Sequence, residues 1–109
     1  MGKNKFPAKR VIIDGVTFAS KREAKRYAEL CLLQKAGEIH QLELQPPFDV
    51  YINGKKLCRY TADFRYLDAK TQAFIVEDVK SGGTRKDPYY RLRKKAAEMS
   101  YAMTVVEVL

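Results

Sequence analysis

A chain of 109 residues, 46% of them hydrophobic, has room for one core and leaves none for a second domain. Its 21 Lys and Arg against 13 Asp and Glu give a formal charge of +8, which favours a polyanionic partner, nucleic acid above all. Two cysteines in unlike contexts, Cys31 and Cys58, and one histidine, His40, argue against a disulfide framework, a Cys/His zinc centre and a Ser/His/Asp triad.

The opening MGKNKFPAKR is polar and basic, so residues 1–9 read as a flexible basic arm ahead of a single domain over 10–109. With no apolar signal segment and no run approaching about 18 apolar residues, the expectation is a cytoplasmic protein with no membrane contact. RVIIDGVTFAS offers a short hairpin turning on Asp14-Gly15. Ser20 then reads as a helix N-cap with Glu23 at the capping-box position. Ala24, Tyr27, Ala28 and Cys31 mark one face of a helix over Lys21–Ala36, closed by Gly37.

Asn53-Gly54 predicts a two-residue hairpin between DVYI and KKLCRY. A second turn at Ala69-Lys70-Thr71-Gln72 joins RYTADFRYLD to AFIVEDVK. Asp87 and Pro88 start a basic helix running to about Met103, and TVVEV closes as a β-branched strand. The expected order is ββ-α-βββ-α-β: an α+β domain with a mixed central sheet flanked by two helices.

The charges within IVEDVK carry the functional question. Strand parity points Asp78 and Lys80 one way and Glu77 the other. A turn centred on Lys70-Thr71 places Asp63 directly opposite Asp78, with Cβ atoms roughly 4.5–5.5 Å apart. Like charges so placed are destabilising unless a cation lies between them, and a divalent metal with oxygen ligands fits that role. Lys80 stands close enough to serve the same centre. A one-residue bulge would exchange the roles of Glu77 and Asp78.

An acid on the first helix, Ala62-Asp63 in one strand, Asp78-Val79-Lys80 in the next and a basic helix after it resemble the PD-(D/E)xK, or restriction-endonuclease-like, nuclease superfamily. The phrases FASKREAKRYAELCLLQKAGEIHQLELQPPF and YTADFRY with VEDVKS look similar to a small phage- and prophage-encoded branch of it, akin to Holliday-junction resolvases. The likeness spans about residues 10–108, with Ala62 standing where the motif's nominal proline would be. It implies a restriction-endonuclease-like core and hydrolysis of DNA phosphodiesters, leaving a 5′-phosphate, with Mg²⁺ or Mn²⁺ as cofactor. Structure-selective cutting of branched DNA by a homodimer is the expected mode.

By that resemblance Asp63, Asp78, Lys80 and Glu23 are the catalytic set. Asp63, Asp78, Glu23 and the Val79 carbonyl would hold the metal. For Glu23 this competes with the capping role. Gln45 either approaches the same site or contacts nearby backbone. Between Lys80 and Lys95 lie seven Lys and Arg against one Asp. Of these, Arg85, Lys86, Arg91, Lys94 and Lys95 form the expected phosphate-contacting face. The alternative is a non-catalytic nucleic-acid-binding protein retaining the fold, against which the intact Asp63/Asp78/Lys80 set argues.

Overall fold

The structure, a computed structural model, describes residues 10–80 and 86–108. The basic arm expected over 1–9, Arg85 and the Gly82-Gly83 pair lie outside the described residues. Strands β1 (Val11–Ile13) and β2 (Val16–Phe18) pair antiparallel across Asp14-Gly15. Both turn residues have positive φ, +51° and +78°, as a type I′ turn requires. Helix α1 (Lys21–Lys35) follows, with Ser20 as N-cap: the Glu23 amide donates to Ser20 Oγ at 3.1 Å. Glu23 Oε1 accepts in turn from the Ala19 amide at 3.2 Å, one residue earlier than the usual reciprocal bond. Gly37, at φ +81°, donates to the Gln34 carbonyl, and Glu38 donates to the Leu33 carbonyl. This Schellman pair ends the helix.

Between the helices run five strands, two more than expected. They are β3 (Ile39–Leu44), β4 (Pro47–Ile52), β5 (Lys55–Thr61), β6 (Phe64–Asp68) and β7 (Phe74–Val79). Helix α2 (Pro88–Tyr101) and strand β8 (Val105–Val108) complete the chain. The first added strand, β3, has no alternating pattern because Gln41 takes φ +57° and the register shifts between His40 and Glu43. The second arises because KKLCRYTADFRYLD is two strands in different sheets. The break falls at Ala62-Asp63, where the Ala62 amide donates to the Pro46 carbonyl and the Gln45 amide to the Asp63 carbonyl. Two chain segments therefore leave the central sheet at one point, and β4 and β5 form their own ribbon across Asn53-Gly54.

The central sheet has the order β3-β6-β7-β8, antiparallel except for the parallel β7–β8 pair joined through α2. Each face carries its own core. On one, Phe18, Ala24, Leu30, Phe64 and Val79 pack beneath α1 and the β1–β2 hairpin. On the other, Phe48, Val50, Tyr60, Val76, Tyr90 and Ala97 join the ribbon to α2. Val76 and Val79 fall in opposite cores, so β7 alternates faces without a bulge through Val79. Among the described residues no helix is long and apolar enough to cross a membrane.

Candidate active site

The β6–β7 register pairs Phe64 with Glu77, Arg65 with Val76 and Leu67 with Phe74, as a turn centred on Lys70-Thr71 demands. One step further, Asp63 and Asp78 interlock. The Asp63 amide donates to the Glu77 carbonyl (3.0 Å) and to Asp78 Oδ1 (2.9 Å), while the Val79 amide donates to Asp63 Oδ2 (2.7 Å). Each carboxylate is thus held by an N–H of the other's strand.

Their remaining partners differ. Asp78 is fully buried, and its Oδ2 accepts from the phenols of Tyr60 and, at 3.1 Å, Tyr90. Burial pushes its carboxyl up and the Asp63 charge adds to this, against the Tyr60 and Tyr90 hydroxyls and Lys80. Asp63 turns to the opening between β2, α1 and the end of β3. There it lines a cavity of about 170 Å³ with Glu23, Gln45, Thr17 and Leu44. Burial raises the Asp63 carboxyl to about 7, a hydrogen bond with the Glu23 carboxyl reinforces this, and the Val79 amide and Lys80 oppose it. Gln45, at φ +52°, reaches this cavity from the corner where β3 gives way to β4.

Lys80 follows directly after β7 and is half-buried, its amide tied to the Val108 carbonyl at 3.0 Å. Its Nζ lies 5.3 Å from the centre of the Tyr90 ring, and its charge acts on both Asp63 and Asp78. The ammonium thus rests against an aromatic face from α2. Neither tyrosine stood out in the sequence as more than a core residue. A tyrosine inside a core needs a partner for its hydroxyl, and that requirement was the available signal.

Glu77 belongs to the other face. It is 2% exposed and takes Arg26 of α1 in a bidentate pair, Nε to Oε1 at 2.8 Å and Nη2 to Oε2 at 2.7 Å. The Tyr66 hydroxyl also donates to Oε2. With three donors this carboxylate is committed to the fold, and the Arg26 guanidinium is pushed up chiefly by that bond. Arg26 carried no sequence signal, because a lone arginine on a helix does not reveal which strand it will meet.

Lys86, Arg91, Lys94 and Lys95 come together along α2, lining a recess of about 790 Å³ with Leu92 and Glu98. Lys94 is drawn towards β8 by Glu107 at 3.3 Å. Among the described residues no three His, Cys, Asp or Glu side chains form a cage for a metal ion. Glu23 and Asp63 nonetheless fit a hard cation. They are two neighbouring carboxyls in a cavity, one retaining its proton to about 7, and Mg²⁺ is ordinarily held by one or two carboxylates together with waters and substrate phosphates.

Comparisons with curated proteins and with solved structures give no match. Residues 3–107 match the family described as "Protein of unknown function (DUF1064)", and the chain belongs to that family.

Proposed function

We infer that this chain is a metal-dependent DNA endonuclease of the restriction-endonuclease-like kind. The core α1-β3-β6-β7-α2-β8, with the β4–β5 ribbon inserted, supports this reading: its acids sit at adjoining strand ends, with a lysine two residues beyond the second acid. One observation carries it above the rest. The reciprocal Asp63–Asp78 clasp fixes an acid pair whose Asp63 member shares a cavity with Glu23 and feels the charge of Lys80.

Glu23 and Asp63, with Asp78 and the Val79 carbonyl, would hold Mg²⁺ or Mn²⁺. When bound, such an ion polarises a phosphate oxygen and lowers the pKa of a coordinated water. The protein's own groups do the rest. Lys80, kept in place by the Tyr90 ring, offsets negative charge developing on the phosphate. Tyr60 and Tyr90 hold Asp78 in one rotamer, and the Asp78 carboxylate fixes the Asp63 backbone. Water oxygen bonds to phosphorus as the bond to the 3′ oxygen breaks, giving a 3′-hydroxyl and a 5′-phosphate. Lys86, Arg91, Lys94 and Lys95, which line one recess, would contact backbone phosphates, and Gln45, which lines the cavity of Glu23 and Asp63, would touch the nucleotide there. Selectivity for branched structure, in a cytoplasmic, phage- or prophage-derived homodimer, is the fitting mode of action.

The test is incubation with supercoiled plasmid and with four-way junctions, in Mg²⁺, Mn²⁺ or EDTA. Cleavage is expected with either metal and none with EDTA. A gel shift with no cutting under any metal overturns the enzyme reading and leaves a DNA-binding protein.

A further inference from the structure

We propose that the first two turns of α1 form a second phosphate-binding site, taking the DNA backbone on the face of the sheet opposite α2. The inference rests on the chain being a DNA-cutting enzyme and names where that enzyme grips its substrate.

A cavity of about 460 Å³ lies between α1 and the ends of β7 and β8. Lys21, Arg22, Lys25 and Arg26 line it, with Val79 and Val108 beside them. Glu29 also reaches it, but is paired with Arg26 at 3.0 Å. Arg26 is satisfied by Glu77 and Glu29, whereas Lys21, Arg22 and Lys25 are exposed and have no ion-pair partner among the described residues.

Two features make this placement costly without an anion. Lys21 and Lys25 are unpaired like charges at i,i+4, a spacing that destabilises a helix. Lys21 and Arg22 sit in its first turn, where the helix dipole disfavours cations and Glu23 is the only acid. An incoming phosphate removes both penalties and can use the same dipole.

The position says which anion. Val79, in the cavity lining, is the residue whose amide holds the Asp63 carboxylate. Glu23, on the same helical turns as these cations, lines the neighbouring cavity with Asp63. The α1 cations therefore flank the acid cluster on one face of the sheet as Arg91, Lys94 and Lys95 do on the other. A polymer with regularly spaced phosphates spans both sides of the cluster, which a free phosphate cannot do.

The experiment compares wild type with the triple variant Lys21→Ala/Arg22→Ala/Lys25→Ala and the charge-matched control Lys35→Ala/Lys55→Ala/Lys70→Ala. All six positions are exposed, and circular dichroism checks that the variants fold. DNA binding is measured in EDTA across a salt series, and cleavage with Mg²⁺ in parallel. Each lost phosphate contact flattens the slope of log K against log salt by about 0.9. The α1 variant is expected to lose roughly two to three from that slope, and the control less than one. In cleavage the variant's KM rises while kcat holds. Equal losses in the two variants, or no loss in the first, overturn the site. If wild type binds DNA but cuts under no metal, the nuclease reading fails while the slopes still decide the site. If wild type binds no DNA, both fall.

Discussion

Replacing Asp63 with Asn should make the metal-free protein more stable while abolishing its cleavage. Folding lifts the Asp63 carboxyl from an ordinary 3.8 to about 7, through burial first and then the Glu23 carboxyl. An acid whose folded pKa lies above its unfolded one holds its proton longer in the native state. Its contribution is therefore intact below about pH 4, and is lost progressively as pH rises through about 7. Three pH units correspond to about 4 kcal/mol, and solvent screening at this partly exposed group brings the expectation to about 2–4 kcal/mol. Asn keeps an oxygen for the Val79 amide, can donate to Glu23 and never ionises. Urea unfolding in EDTA at about pH 5 and about pH 8 reads the effect directly. Wild type should lose about 1–2.5 kcal/mol more than Asp63→Asn between those conditions, since part of the change falls below pH 5. Mg²⁺ at roughly a hundred times its Kd should restore about 2.7 kcal/mol to wild type and nothing to the variant. A variant no more stable than wild type near pH 8, with the same pH dependence, would refute the strained acid pair.

The remaining expectations follow from the same contacts. Arg26→Ala leaves Glu77 buried with only Tyr66, and should cost about 3–5 kcal/mol in denaturant unfolding; the double replacement Arg26→Met/Glu77→Leu should recover much of that. Tyr60→Phe removes a donor from the fully buried Asp78 and should cost about 1–3 kcal/mol, a cost that shrinks as falling pH protonates this carboxyl, which burial pushes up; unfolding curves across a pH series check it. Lys80→Met should lower kcat by roughly 10²–10³-fold with DNA affinity nearly unchanged, as measured by single-turnover cleavage and gel shift. Tyr90→Phe should retain more of that activity than Tyr90→Leu, since only the former keeps a ring under the Lys80 ammonium.

Local chemistry in the sequence located the elements that carry their own punctuation. Asp14-Gly15, Ser20 with Glu23, Gly37, Asn53-Gly54 and Asp87-Pro88 all sit where their backbone preferences require. The β6–β7 register was equally legible, since a short turn and period-two alternation leave one solution. What could not be read was the corner at Gln45-Pro46 and Ala62-Asp63. KKLCRYTADFRYLD alternates well enough to pass for one strand, and only the tertiary bonds from Ala62 to Pro46 and from Asp63 to Glu77 divide it. Strand β3 was hidden for a related reason: as an edge strand with Gln41 in the left-handed region, it shows no regular alternation. At the site, sequence parity separated Asp78 from Glu77. It did not show that Asp78 would be spoken for by two tyrosines, while Asp63 turned towards Glu23.

The corner and the acids explain one another. Had β5 run straight into β6, Asp63 would have stayed in a regular ladder, and its amide would have had no call on Asp78 Oδ1. Because the chain changes sheets at Ala62, the Asp63 amide is free to bond both the Glu77 carbonyl and the Asp78 carboxylate. The same step turns the Asp63 side chain towards the Val79 amide and the cavity it shares with Glu23. Glu77 meanwhile anchors β7 to α1 through Arg26, while Asp78 anchors the same strand to the ribbon and α2 through Tyr60 and Tyr90. Two consecutive residues thus tie both helices and two sheets to one point. A fold indifferent to what happens there would fill such a junction with apolar side chains, which pack with no desolvation penalty. Concentrating ionisable groups at its most constrained point leaves their geometry little freedom to relax. That is the condition under which charges act on a substrate rather than reorganise around it.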